Sequence, residues 1–306
     1  MKSSKLQVLF GSKRWSKIIF LILIFFVLVG IVLAQENVNL GFGDARIEGE
    51  YKLDVPPAIE NEVYDYLVEK YVNENVSWLS PELKVSTLNE DFADTYYDTS
   101  SLVLNKQWAG LRLRKRYDDG EMVKQLIQIK VTPQRELNNT MRYELKWDVR
   151  TKLIKSEIDN IDGHEFFRFV NHEDRESIVE NLGKLGINNP FKLKEMINIE
   201  QYRRRIYLSD TEGNLIITIT LDETSAQKLF KVSFVELELE MNEIAYTSGD
   251  TQKRAWMEEI NTKIKEDLTK QFPQLEQDQR PKYTKSMDLL AKKIPFFKWL
   301  IRLGLI

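Results

Sequence analysis

Four segments of this chain alternate charged and apolar residues with a period of two, and in each the charges gather on one face. In RIEGEYKL, Glu48, Glu50 and Lys52 share a side. The same holds for Arg112, Arg114 and Arg116 in GLRLRKRY, for Arg142, Glu144 and Lys146 in MRYELKW, and for Glu236, Glu238 and Glu240 in FVELELEM. A solvated face usually mixes its signs, whereas here one strand is all basic and another all acidic. Like charges two positions apart repel unless an opposing ion lies between them. The opposite faces carry Leu111, Leu113, Val235, Leu237 and Leu239, which need an apolar cover. A closed antiparallel β-barrel, charged inside and flanked by helices in an α+β fold, meets both demands and leaves no bare edge.

The rest of the pattern fits that expectation. Strands are expected at 45–53, 84–88, 91–98, 109–118, 122–131, 140–148, 196–208, 214–223 and 230–241, with a hairpin at the TEGN run around Gly213. Helices are expected at 57–73 after Pro56 and Pro57, at 172–185, at 250–270, and as a pair after Pro281.

The N-terminus reads differently. Residues 18–34, IIFLILIFFVLVGIVLA, contain no charge and approach the length needed to span a bilayer. Lys2, Lys5, Lys13, Arg14 and Lys17 precede them, so residues 1–17 form a basic segment that the positive-inside tendency holds in the cytoplasm. The expectation is one transmembrane anchor with the main domain on the far side. The alternative is a signal peptide cleaved after the small residues Val32 and Ala34, with secretion. At the other end, 291–306 mixes Phe296, Phe297, Trp299, Leu300, Leu303 and Ile306 with four cations, which suits either an amphipathic helix at a membrane surface or a docked terminal helix.

Charge and composition narrow the chemistry. The formal charge of −3 becomes −8 once the five leading cations are set aside, and an acidic body argues against nucleic acid as a partner. With no cysteine there is no thiolate zinc site and no thiol nucleophile. His164 and His172 are too far apart for a two-histidine helix motif, and no glycine-rich phosphate loop or Gly-x-Ser-x-Gly elbow occurs. Any anion site must be built from side chains.

The charged segments also carry a resemblance. EGEYK, with Glu48, Glu50 and Lys52, is similar to the Glu-x-Glu-x-Lys signature of the CYTH superfamily, the triphosphate tunnel metalloenzymes. TYYDTSSLVLNKQWAGLRLRKR resembles the family's next block. QIKVT with Lys130, MRYEL with Arg142 and Glu144, the arginines 203–205, TITLDE with Asp222, VELELE with Glu236 and Glu238, and PKYTKSM with Lys282 follow in order. The resemblance spans residues 44–290. It implies that the barrel is an eight-stranded antiparallel tunnel that holds a triphosphate or polyphosphate with its basic residues and Mg²⁺ or Mn²⁺ with its acids. On that footing Lys52, Arg112, Arg114, Lys130, Arg142, Arg204 and Lys282 would clamp phosphate. Arg204 is chosen from its run because Tyr202 and Arg204 look like a family tyrosine-x-arginine pattern. Glu48, Glu50, Asp222, Glu236 and Glu238 would hold metal, with Glu48, Glu50 and Lys52 closest to the chemistry. The implied activity is a membrane-anchored, metal-dependent triphosphatase. Polyphosphate polymerisation at the membrane and non-catalytic capture of polyphosphate are the alternatives.

Overall fold

The computed structural model describes residues 46–74, 76–132, 140–149, 167 and 170–306. In chain order the strands are β1 (Arg46–Val55), β2 (Lys84–Thr99), β3 (Ala109–Asp118), β4 (Glu121–Val131), β5 (Thr140–Asp148), β6 (Leu193–Ser209), β7 (Leu215–Gln227), β8 (Lys231–Met241) and β9 (Glu276–Gln277). The helices are α1 (Glu60–Val68), α2 (Val103–Lys106), α3 (His172–Lys184), α4 (Glu243–Ser248), α5 (Thr251–Gln271), α6 (Lys282–Lys293) and α7 (Phe297–Arg302).

All strands belong to one antiparallel sheet in the order β5-β4-β3-β2-β6-β7-β8-β1-β9. The expected segments 84–88 and 91–98 are a single strand, because β2 pairs with β6 from Lys84 opposite Ser209 to Thr99 opposite Leu193, with one register shift at Tyr96/Tyr97. The β6–β7 hairpin closes where Asp210 accepts hydrogen bonds from the Glu212 and Asn214 amides at 3.1 and 2.8 Å, and Gly213 takes the φ of 88° that the turn needs.

Two expectations are corrected here. The sheet is an open nine-strand array and not a closed eight-stranded barrel. β1 also pairs with β5, over Arg46–Glu50, but among the described residues that pairing goes no further, and at Leu53 and Asp54 β1 is paired with β9 instead. A seam is therefore left beside the second half of β1, where the chain around Asp278–Pro281 passes. The second correction concerns the single-pass membrane placement, with its cleaved-signal alternative. Among the described residues no helix is long and apolar enough to cross a membrane, and residues 1–17 and 18–34, on which that reading rested, lie outside the described residues.

The apolar faces of β1, β7 and β8 do receive their helical cover. Leu53, Val55, Ile217, Ile219, Leu221, Leu237 and Leu239 pack with Val63, Leu67 and Tyr71 of the 57–73 helical segment and with Met257, Ile260, Ile264 and Leu268 of α5. Burying each such aliphatic side chain contributes about 1.5–3 kcal/mol, which fixes the outer layer and leaves the charged face of these strands no choice but the concave side. α6 enters that side from one end, where Tyr283, Met287 and Leu290 join Tyr96, Ile197, Ile199, Ala226 and Val232. At the C-terminus Phe297 and Ile301 dock on the same cluster, while Phe296, Trp299, Leu303 and Leu305 stay exposed.

Candidate functional site

Strand register decides which charges meet. Glu90, Arg203, Asp222, Glu236 and Asp54 stand side by side across β2, β6, β7, β8 and β1. Directly paired residues share a face, so all five belong to one side of the sheet. The same reasoning puts Asp94 with Arg114, Tyr96 with Arg112 and Gln128, and Lys130 with Glu144.

Three clusters result. In the first, buried Asp94 accepts from Arg114 Nε at 2.7 Å and Nη2 at 2.7 Å, from Arg112 Nη1 at 3.0 Å and from Gln201 Nε2 at 2.7 Å. Arg112 also donates to Gln128 Oε1 at 2.7 Å and to the Tyr96 hydroxyl at 3.1 Å. In the second, Arg203 Nε donates to Asp222 at 2.6 Å and Nη2 lies 3.3 Å from Glu238. Lys282 of α6 lies 2.8 Å from Asp222, 2.9 Å from Glu236 and in contact with Glu238. Lys52 lies 3.1 and 3.3 Å from Glu236 and Glu238, and Lys285 lies 3.1 Å from Glu236 and against Asp54. In the third, Arg142 is ion-paired with Glu50 and donates to the Gln279 carbonyl at 2.9 Å, and Lys130 lies 3.1 Å from Glu144.

These clusters line a cavity of about 60 Å³. Lys52, Arg112, Arg114, Lys130, Arg142, Arg203 and Lys282 line it, together with Glu50, Glu238 and Glu240. A wider groove of about 590 Å³ runs over Asp91, Glu200, Glu223 and Glu60. Its carboxylates would repel an anion, so the small interior cavity is the better candidate for one.

Burial and charge set the ionisation of the acids. Burial alone would raise Asp94, but Arg112 and Arg114 outweigh it and hold the carboxyl below its usual range. Glu236 and Glu238 are likewise held low against burial, by Lys282 and Lys52. Glu50 goes the other way: burial, with Glu238 adding to it, raises its carboxyl in spite of Arg142. Lys282 is raised against burial by Asp222, Glu236 and Glu238. Glu50 and Glu238 both line the cavity, and the negative charge of Glu238 adds to the upward push on Glu50.

That pair fits a hard divalent ion by donor chemistry, since Mg²⁺ and Mn²⁺ favour oxygen ligands and would relieve the repulsion between the two groups. Among the described residues no three acidic or histidine side chains already converge as a metal cage. Glu48 sits in β1 opposite Arg142, and its side chain lies outside the described set.

Most of the expected residues converge here: Glu50, Lys52, Arg112, Arg114, Lys130, Arg142, Asp222, Glu236, Glu238 and Lys282 all face the interior. Arg204 does not. Its neighbour Arg203 is in register with Glu90 and Asp222, so parity turns Arg204 outward, where it pairs with Glu60 at 2.8 Å and Glu223 at 2.7 Å and stacks on Tyr64. Asp222 and Glu236 face inward but are fully buried among cations and do not line the cavity. Sequence reasoning missed Arg203, Asp94, Lys285, Gln128 and Gln201. Asp94 alternates with Tyr96 and Asp98, and Lys285 follows Lys282 by almost one helical turn, so both carried a readable signal.

An antiparallel sheet that turns interlocked arginines, lysines and carboxylates toward one cavity is a candidate for an anion site built from side chains. The CYTH domain profile matches residues 80–272, and the chain belongs to that family. Similar solved structures include a putative adenylyl cyclase from Hippeastrum described as having a dominant triphosphatase activity (16% identity, 78% of this chain and 95% of that one, TM-score 0.45). The PH1819 protein of Pyrococcus horikoshii OT3 is similar at 17% identity over 81% of this chain and 99% of that one, TM-score 0.44. The Pct1 RNA triphosphatase of S. pombe is similar at 10% identity over 71% and 81%, TM-score 0.36. No curated protein matches.

Proposed function

We propose that this chain is a divalent-metal-dependent triphosphatase acting on an inorganic or organic triphosphate. The observation that carries the reading is the convergence of seven cations from β1, β3, β4, β5, β6 and α6 on one cavity that also presents Glu50, Glu238 and Glu240. A pure anion receptor gains nothing from carboxylates in its wall unless a cation joins them. Membership of the CYTH family supports the same choice.

In this reading Arg112, Arg114, Arg142 and Arg203 offer paired donors to phosphate oxygens, and Lys52, Lys130 and Lys282 act as point charges. Asp94 and Asp222 keep the guanidinium planes oriented before the substrate arrives. Burial removes competing water, so each contact to developing phosphoryl charge is stronger than it would be in solvent. A divalent ion held by Glu50 and Glu238, with Glu48 and Glu240 beside them in sequence alternation, would supply charge neutralisation and orientation of the attacking water. The protein's own part is positioning, as is usual for phosphoryl transfer.

The test is phosphate release by the full chain from tripolyphosphate and ATP, with and without Mg²⁺ or Mn²⁺, beside Glu50→Gln. Metal-dependent release that disappears in the variant is expected. Tight tripolyphosphate binding with no release under any metal would replace the hydrolase reading with capture.

A further inference from the structure

We propose that oligophosphate and divalent metal bind this site with positive coupling, because the cations that clamp phosphate are, before it arrives, the counter-ions of the carboxylates that hold the metal. The inference rests on the hydrolase reading above and concerns how its site is filled.

The acids divide by their partners. Asp222 has no exposed surface and is held by Arg203 at 2.6 Å and Lys282 at 2.8 Å. Glu236 has none either, and sits among Lys52, Lys282 and Lys285 at 3.1, 2.9 and 3.1 Å. Neither reaches the cavity wall. Glu50 and Glu238 do, and each is tied to cations on the same wall: Glu50 to Arg142, Glu238 to Lys52, Arg203 and Lys282.

Arg142, Lys52, Arg203 and Lys282 are already engaged by these carboxylates, so a triphosphate gains their full donor capacity only as the pairs open. Each opening leaves a buried carboxylate without its counter-ion, which is costly. A divalent ion replaces the departed charge. By linkage, whatever factor phosphate adds to metal affinity, metal adds to phosphate affinity. Asp222 and Glu236 are then positioning residues: they keep Arg203, Lys52 and Lys282 aimed at the cavity after Glu238 has let them go.

Mn²⁺ binding to the full chain, followed by the loss of the free-ion electron spin resonance signal, tests this without turnover. Alone, Mn²⁺ should bind wild type weakly, and a non-hydrolysable imidotriphosphate should tighten it by at least about fivefold, within the usual range of coupling. Direct chelation of metal by phosphate could produce that much, so the deciding measurement omits phosphate. Arg142→Gln frees Glu50 and should bind Mn²⁺ alone at least about fivefold more tightly than wild type, while binding the analogue more weakly. Adding Glu50→Gln to that variant should abolish the gain. Lys282→Gln repeats the test at Glu238 if Arg142→Gln does not fold. Wild type binding Mn²⁺ alone as tightly as it does with the analogue, or neither variant gaining affinity, overturns the proposal. Hydrolysis without coupling refutes this inference alone, and coupling without hydrolysis refutes only the assigned reaction.

Discussion

Asp94 on β2 holds Arg114 on β3 through two parallel hydrogen bonds of 2.7 Å, and its second oxygen also takes Arg112 at 3.0 Å. One carboxylate is thus shared by two adjacent guanidiniums and offsets part of their mutual repulsion. Arg114 is lowered by burial and then by Arg112, with Asp94 opposing both. Asp94→Ala should cost about 3–5 kcal/mol in urea unfolding, the range for removing one partner of a buried ion pair. A loss under about 1 kcal/mol would mean that water reaches these arginines and the cluster is not dry.

Arg203 and Arg204 are neighbours in sequence with opposite fates. Arg203→Ala should lower kcat/KM for triphosphate about 100-fold, equivalent to about 2.7 kcal/mol, as expected for losing one preorganised charge contact. Arg204→Ala removes an outer pair with Glu60 and Glu223 and should leave turnover within about twofold, with a stability change of about 0.5–1 kcal/mol. Steady-state kinetics on both variants decide it. A larger loss from Arg204→Ala would contradict the register of β6.

The contrast shows what the sequence could and could not tell. Period-two alternation located β1, β3, β5 and β8 and told which residues of each share a face, since that information is local. It could not say which arginine of 203–205 points inward, because three consecutive arginines carry no alternation and parity comes from β2 and β7, far away in the chain. Nor could it find β9, whose two residues have no period to detect. The expected closed barrel failed at the same place: where β5 parts from β1 depends on long-range pairing and on the Gln279 and Arg280 carbonyls that Arg142 and Lys52 reach across the seam. The inward expectation for Arg204 rests on a motif likeness, and the ladder of β6 with β2 and β7 overrides it.

Acid should unfold this protein through its interior. Asp94, Asp222 and Glu236 are held below ordinary values of 3.8, 3.8 and 4.5, each by cations that outweigh burial. A depressed carboxyl contributes stability that is fully present above its unfolded value and lost as pH falls through its folded one. Unfolding free energy from these three groups should therefore be level above about pH 5 and decline below about pH 4, each group losing about 1.4 kcal/mol per pH unit crossed between its unfolded and folded values. Glu50 works against them: burial raises it, so its contribution is lost as pH rises above 4.5. Urea titrations from pH 7 to pH 2.5 check the window, and Asp94→Asn should show a shallower acid limb than wild type. An acid limb unchanged by that variant would mean Asp94 is not held as its contacts indicate.

The entry of α6 depends on one glycine. Tyr283 stacks on Tyr96 with ring centroids 5.1 Å apart and planes 6° from parallel, and its hydroxyl donates to Asp98 at 3.2 Å. Asp98 in turn accepts from the Thr99, Leu104 and Asn105 amides, tying α2 to the same point. Gly110 lies against this stack: a Cβ there would come within 3.2 Å of Tyr96 Cε1 and 3.8 Å of Tyr283 Cβ. Tyr96 cannot yield without disturbing the 3.1 Å hydrogen bond that its hydroxyl accepts from Arg112. Gly110→Ala should therefore destabilise by about 1–3 kcal/mol, the cost of overpacking a filled core. It should also raise KM for triphosphate, because Arg112 and Lys282 both shift with the two rings. Gly110→Ala combined with Tyr96→Phe frees the ring to yield, so relative to Tyr96→Phe alone the added glycine substitution should cost less stability and change KM less than it does in wild type. If its cost is the same in both backgrounds, the hydrogen bond to Arg112 does not pin the ring.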